Sequence, residues 1–315
     1  MRLDNSGREA FASCPRKYFL SCVCGLRPSQ GSNALRYGST WHAIMEGYYS
    51  AAREGAKLSE AVQRGLAYGK AIWELETAVH PEWEEDYRTL DTASEALLAY
   101  IDEFRQADVG SLEVKATEQA FYVEVASDLS FFGRIDLRVV LDGIPFIVEH
   151  KTTGQSAALV AERLNRSAQI MGYTYAAKAM GLPAQGCLVV IHQVSCRRKA
   201  DGTWGKQTIA FRRVPMVFTD SDLEEWKRSF TLTAEQIAEC EARQCWPMQF
   251  DSCYRFGRCC YTPLCERHLL LDELQDKECP IPGFIRTKRD YLEPTLKRIS
   301  NMKEAMYAKC KGHSG

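Results

Sequence analysis

No apolar run in this 315-residue sequence approaches the roughly 18 residues that span a bilayer, which excludes a chain built on membrane-crossing helices. The opening residues, Met1-Arg2-Leu3-Asp4-Asn5, lack the apolar h-region of a secretory signal, so the expectation is a cytoplasmic protein with no membrane partner. Net charge is also nearly missing. Forty Lys+Arg meet 41 Asp+Glu, for −1 overall, and no global cationic field draws in a polyanion. There is no internal repeat and no low-complexity tract. The 45% hydrophobic and 26% charged residues are those of an ordinary globular chain. At ~150 residues per domain, that length predicts about two structural units, or one large α/β domain with additions.

Cysteine, by contrast, is abundant, at thirteen residues. A reducing compartment disfavours a disulfide framework, and an odd count leaves at least one thiol unpaired. Cys187, Cys196 and Cys240 stand alone in apolar or helical patterns and read as inert. Cys253, Cys259, Cys260 and Cys265 crowd into one short segment, which packing alone does not require. Charge is segregated too. Positions 51–130 hold seven basic and seventeen acidic residues, a net of −10, while 284–315 hold eight basic and three acidic, a net of +5. Such segregation suits a polyanion on one face, and equally two ordinary solvated surfaces.

Apolar spacing of three and four residues predicts helices over Ala34–Ala52, Leu58–Val79, Asp91–Asp108, Ser156–Met180 and Thr219–Arg243, and a basic helix over Asp290–Lys309. Thr219 or Asp220 is the expected N-cap of the fifth. Strands are predicted at Leu112–Val125, Ser130–Leu141, Ile144–Lys151, Cys187–Val194 and Gln207–Val214. This order describes an α/β core with a helical front and a Cys-rich back.

Asp142-Gly143 between two alternating apolar stretches marks a two-residue hairpin turn, both positions wanting φ > 0. The turn places Leu141 opposite Ile144 and, in the same register, Asp136 opposite Glu149. Ile135, Leu137, Val139 and Leu141 then share a core face with Ile144, Phe146 and Val148. Arg134, Asp136, Arg138, Glu149 and Lys151 share the other. Two facing carboxylates repel, and a divalent cation between them converts repulsion into ligation by hard oxygens. Lys151, on the same face, is placed to orient a water or to stabilise charge on a phosphate. The alternative is a surface ladder in which Arg134 and Arg138 neutralise the acids.

Gly133-Arg134-Ile135-Asp136, followed by Glu149-His150-Lys151-Thr152-Thr153, resembles the D…ExK signature of the PD-(D/E)xK nuclease superfamily, RecB-like branch. Gly38-Ser39-Thr40-Trp41-His42 is similar to that branch's N-terminal helix motif, and Gln169-Ile170-Met171-Gly172-Tyr173 to its QxxxY motif. Cys14-Pro15-Arg16-Lys17-Tyr18 and Cys259-Cys260-Tyr261-Thr262-Pro263-Leu264-Cys265 resemble the segments of members that carry a [4Fe–4S] cluster, a CRISPR-associated branch among them.

The resemblance implies a restriction-endonuclease-like α/β core, a mixed central sheet flanked by helices. It divides the chain into a helical N-terminal region (1–110, with Cys14 and the His42 motif), a nuclease core (111–244), a cysteine segment (245–270) and a basic tail (271–315). It implies that His42, Asp136, Glu149 and the His150 carbonyl hold Mg²⁺ or Mn²⁺, that Lys151 positions the attacking water, and that Gln169 and Tyr173 contact the strand or brace the lysine. Glu46, four residues beyond His42, either joins this site or bonds to the imidazole, and Glu118 on the first strand is another candidate auxiliary acid; a supporting or surface role is the preferred reading of both. Cys14, Cys253, Cys259 and Cys265 are the implied cluster ligands. Cys260 rivals Cys259, Cys22 and Cys24 rival Cys14, and Zn²⁺ is the alternative metal.

The implied activity is DNA hydrolysis by an exonuclease on single strands or duplex ends, in recombination, repair or phage DNA processing. A recombinase, helicase or CRISPR protein is the implied kind of partner. A catalytically inactive DNA-binding or adaptor protein, or a metal-stapled structural module, are the alternatives. From the sequence alone, Arg286, Lys288, Arg289, Lys297, Arg298 and Lys303 of the tail are candidate phosphate contacts.

Overall fold

The computed structural model describes residues 1–80, 82–83, 86–255, 257–267, 271–276, 280–287, 301–308 and 311. In chain order the elements are β1 (Arg2–Leu3), α1 (Asn5–Ser13), α2 (Pro15–Tyr18), β2 (Leu26–Pro28), β3 (Gln30–Gly31), α3 (Asn33–Arg53), α4 (Leu58–Val79), β4 (Glu82–Trp83) and α5 (Leu90–Asp108). The central section holds β5 (Leu112–Ala126), β6 (Leu129–Leu141), β7 (Ile144–Thr153), α6 (Ala157–Leu164), α7 (Ala168–Ala179), β8 (Gly186–Arg198) and β9 (Trp204–Met216). It is followed by α8 (Asp220–Ala242), α9 (Thr262–Glu266), α10 (Leu271–Gln275) and β10 (Phe284–Arg286). Two compact units result, both discontinuous in sequence: 1–30, 122–133 and 224–291 in one, and 31–121, 134–223 and 292–315 in the other.

In the larger unit β6 pairs with β7 antiparallel, β7 with β8 parallel, and β8 with β9 antiparallel. Asp142 at φ 50° and Gly143 at φ 79° make the β6–β7 turn, and pairing runs from Leu141↔Ile144 to Leu137↔Val148. The ladder ends there, one step short of the expected Asp136–Glu149 pair.

Helices α3 and α5 cover one sheet face. Tyr37, Trp41, Ile44, Met45 and Tyr49 recur along α3 at three- and four-residue spacing and meet Leu97 and Tyr100 of α5 and Val139, Val148 and Val190 of the sheet. Trp41 and Tyr37 are fully buried, each such burial stabilising by roughly 2–3 kcal/mol. Helix α4 lies close against α3: a Cβ at Gly47 would sit 2.7 Å from the Arg64 carbonyl oxygen, and one at Gly65 2.9 Å from that of Ile44.

Helices α6 and α7 pack on β7, β8 and β9. Consequently Glu149, expected on the polar face, is buried at 3% exposure, and Ile147 beside it at 1%. The parallel β7–β8 pair explains this, because its crossover helices cover the second face. That crossover is two helices rather than the single one predicted over Ser156–Met180. It breaks at Asn165-Arg166-Ser167, where Ser167 takes extended backbone ahead of α7. Thr219 caps α8 through a reciprocal box: the Asp222 N–H donates to Thr219 Oγ1 at 3.2 Å, and the Thr219 N–H to Asp222 Oδ2 at 3.0 Å.

In the smaller unit β1 pairs in parallel with Ser130 and Phe131 of β6. Phe131 packs on Trp226 and Phe230 of α8, each with ring centroids 5.1 Å away. Trp246 stacks on Tyr18 and Phe19, while Arg16 Nε donates to the Trp246 carbonyl at 2.8 Å. β10 pairs with β2, and Tyr261 Oη donates to the Leu26 carbonyl at 2.8 Å. Protein–protein contacts alone therefore join the first thirty residues to those after 245.

Among the described residues no helix is long and apolar enough to cross a membrane. Of the basic tail, Lys288, Arg289, Lys297 and Arg298 lie outside the described residues. Arg286 donates to the Cys24 and Leu274 carbonyls at 3.2 and 3.0 Å, so backbone rather than solvent receives its charge.

Candidate active site

Sheet alternation sends consecutive β7 residues to opposite faces. Glu149 and Lys151 point towards α7. There Gln169 Nε2 donates to Glu149 Oε1 at 2.9 Å, and Lys151 Nζ donates to Gln169 Oε1 at 2.5 Å and lies 2.8 Å from Glu149 Oε1. Tyr173, one helical turn beyond Gln169, accepts from its Nε2 at 3.3 Å and sets its ring edge-on to Phe121. The five groups form one network that fixes the amine. Glu149 Oε2 is buried and has no hydrogen-bond partner.

His150 faces the other way. Its ring lies against Tyr49 and His42, with centroids 6.4 and 6.2 Å away, and burial holds its imidazole down at about 3. Where the β6–β7 ladder stops, the freed His150 N–H donates to Asp136 Oδ2 at 2.8 Å.

Asp136 is the hub. His42, turned off the apolar face of α3, brings Nδ1 to 3.1 Å from Asp136 Oδ2. Burial alone would raise the Asp136 carboxyl, but the adjacent His42 and the His150 N–H hold it below the usual range. Burial would likewise lower His42, and the attraction of Asp136, with Glu149 and Glu118 behind it, raises the imidazole to about 9.

Glu118 completes the cluster. One ligand atom each from His42, Glu118 and Asp136 lie within 4.8 Å of one another, a set able to hold a metal ion. Of the two readings open for Glu118, auxiliary acid or supporting residue, this position matches the first. Its side chain is only 10% exposed, is paired with Arg134, and is pushed up by burial despite that arginine. Glu118 sits in β5 at φ 49°, a left-handed backbone that costs a non-glycine residue on the order of 1 kcal/mol and aims the acid at the site. No spacing rule reveals such a position.

The cleft they line, about 690 Å³, includes His42, Glu46, Glu118, Arg134, Asp136, Glu149, Lys151, Gln169, Tyr173 and Lys303. The expected metal set thus divides: His42 and Asp136 stand with Glu118, while Glu149 is held by Lys151 and Gln169.

The smaller unit gathers Cys14, Cys253, Cys259, Cys260 and Cys265 around a cavity of about 200 Å³. The Gln249 N–H points at Cys14 Sγ from 3.4 Å. Cys260, donating to Cys259, pulls that thiol down to about 6, assisted by the Tyr261 N–H and by Lys17. The same contact raises Cys260. Burial raises Cys253 and Cys265. Among the described residues no three of these sulfurs lie within 4.8 Å of one another.

An acidic and imidazole cluster able to hold a metal ion stands beside a clamped lysine where a hairpin opens in a mixed sheet. A profile of the PD-(D/E)XK nuclease superfamily matches residues 5–266, and the chain belongs to that superfamily. Its mixed sheet flanked by helices is the restriction-endonuclease-like arrangement, and the family makes DNA the implied substrate and a divalent metal the implied cofactor. No curated protein matches the chain.

Proposed function

We propose that the chain is an exonuclease that hydrolyses DNA phosphodiesters on single strands or duplex ends with Mg²⁺ or Mn²⁺. The observation that carries this reading is the convergence of His42, Glu118 and Asp136 within 4.8 Å, in the same cleft as the Lys151–Gln169–Glu149 network. The donors are carboxylate oxygens and one imidazole, suited to a hard divalent ion, and the buried, unpartnered Glu149 Oε2 supplies a further oxygen. His42, Asp136, Glu118 and Glu149 would hold the ion, with the His150 carbonyl as the expected backbone donor. When bound, the ion offsets negative charge gathering on the scissile phosphate and lowers the pKa of water.

The protein's own groups do the rest. Lys151, held by Gln169 and Glu149, positions the attacking water and places its ammonium against the phosphate. Gln169 keeps that amine in place, and Tyr173 holds Gln169. Arg134, beside Glu118, brings a guanidinium to the same cleft for a neighbouring phosphate.

In the cysteine pocket, Cys14, Cys253, Cys259 and Cys265 are the proposed ligands of a [4Fe–4S] cluster. The lowered Cys259 and raised Cys260 favour Cys259 as the thiolate. Four thiolates also suit tetrahedral zinc, the alternative metal. Processing of DNA in the cytoplasm for recombination or repair, alongside a helicase, recombinase or CRISPR protein, is the corresponding biological setting.

The test pairs an end-labelled linear DNA with a closed circle of the same sequence, each incubated with Mn²⁺. Nucleotide release from the linear substrate with a spared circle supports the exonuclease. Discrete cuts in the circle point instead to an endonuclease. DNA binding without release from either substrate identifies a binding module.

A further inference from the structure

The superfamily match ends at residue 266, yet the cleft has a wall contributed by residues beyond it. The helical stretch 301–308 docks on the α3–α4 pair. Tyr307 and Met306 pack with Ala43, Ala67, Tyr68, Ile72 and Leu75. Tyr68 Oη donates to Glu304, the Arg64 guanidinium lies 4.8 Å from the Tyr307 ring centre, and Lys311 stands 3.8 Å from Glu60. This docking carries Lys303 into the cleft, where its ammonium pairs with Glu46, one helical turn beyond His42.

Lys303 is only 5% exposed. Burying a lysine beside an acid is at best about neutral for stability, because desolvating both charges offsets their attraction. Tyr307 and Met306 already supply an apolar anchor, so docking does not explain the charge. The ammonium has three donors; one meets a Glu46 oxygen, and the group also stands 5.5 Å from the Tyr68 ring centre. Three other acids of the cleft also have a basic neighbour: Asp136 has His42, Glu118 has Arg134 and Glu149 has Lys151. Lys303 gives Glu46 the same treatment with a cation from outside the matched region.

We propose that Lys303 is a substrate-binding residue, supplied in cis by the C-terminal helix, that contacts a backbone phosphate of the DNA strand in the cleft. The proposal rests on the nuclease reading for the identity of its ligand.

The experiment measures binding of a fluorescein-labelled single-stranded oligonucleotide to the full chain, with Ca²⁺ replacing Mn²⁺, over a range of salt. Lys303→Met is expected to weaken binding several-fold and to reduce the slope of log Kd against log salt by about 0.7, the loss of one phosphate contact. Lys303→Arg is expected to restore both. Wild-type affinity and slope in a folded Lys303→Met chain would overturn the proposal. Lys303→Gln, which keeps a polar stem, answers the same question if the methionine variant does not fold. Wild-type protein that binds DNA but releases no nucleotide with Mn²⁺ would defeat the nuclease reading alone, and the salt slope would still judge Lys303.

Discussion

The acidic cleft and the cysteine pocket both gather groups that repel one another once ionised, and they tolerate this differently. In the cleft four acids have a neighbouring base: Asp136 has His42, Glu118 has Arg134, Glu149 has Lys151 and Glu46 has Lys303. These pairs balance charge locally, and a divalent ion held by His42, Glu118 and Asp136 would take the place of the His42 proton as the positive charge beside the acids. In the cysteine pocket burial keeps Cys253 and Cys265 protonated, and Cys259 alone is pulled towards thiolate. Stacking of Trp246 on Tyr18 and Phe19 helps to bring the pocket's walls together. On the proposed reading, the cleft would take an exchangeable ion and the pocket a resident one.

The largest effect that would break this contrast belongs to the hub. Asp136→Asn should reduce hydrolysis by on the order of 10³-fold and abolish calorimetric Mn²⁺ binding, because it removes both the oxygen and the partner of His42. Retained activity would remove Asp136 from the site. Cys265→Ser should leave Mn²⁺ binding in the cleft intact but bleach any absorbance near ~400 nm and lower unfolding free energy by about 3 kcal/mol. An unchanged melting curve would show that the pocket needs no cofactor. Glu118→Gln sharpens the contrast from the other side: Mn²⁺ affinity should fall about tenfold with the fold unchanged.

The smallest effect follows from His42, whose folded value of about 9 exceeds the ~6.5 of an unfolded chain. Its pairing with Asp136 therefore stabilises the metal-free protein fully below pH ~6.5, and that contribution fades as the pH rises through about 9. Denaturant unfolding of the wild type and His42→Gln should differ by on the order of 1 kcal/mol at pH 6 and converge by pH 10. A constant difference would mean that the imidazole is held by packing rather than charge.

Much of the fold was readable because it depends on neighbours in sequence. Asp142-Gly143 takes the left-handed backbone its residue types favour, and the pairing it starts runs as the numbering predicts as far as Leu137↔Val148. The apolar spacing of α3 separates Tyr37 and Trp41 from His42 in the same way. What escaped reading depends on contacts distant in sequence. The cover over Ile147 and Glu149 arises from crossover helices, which alternation within a hairpin cannot reveal. Glu118 reaches the cluster through one left-handed residue in a strand. Glu46 and Lys303 are separated by 257 positions, and nothing local in either segment announces their pairing.

The central claim is that Lys151, clamped by Gln169 and Glu149, works beside an ion held by His42, Glu118 and Asp136. It is tested most directly by timing Mn²⁺-dependent nucleotide release from end-labelled linear DNA by the wild type and by Lys151→Met, side by side. The account predicts steady release by the wild type, none above background by the variant, and equal Mn²⁺ affinity for both. Release by the variant at the wild-type rate would contradict it.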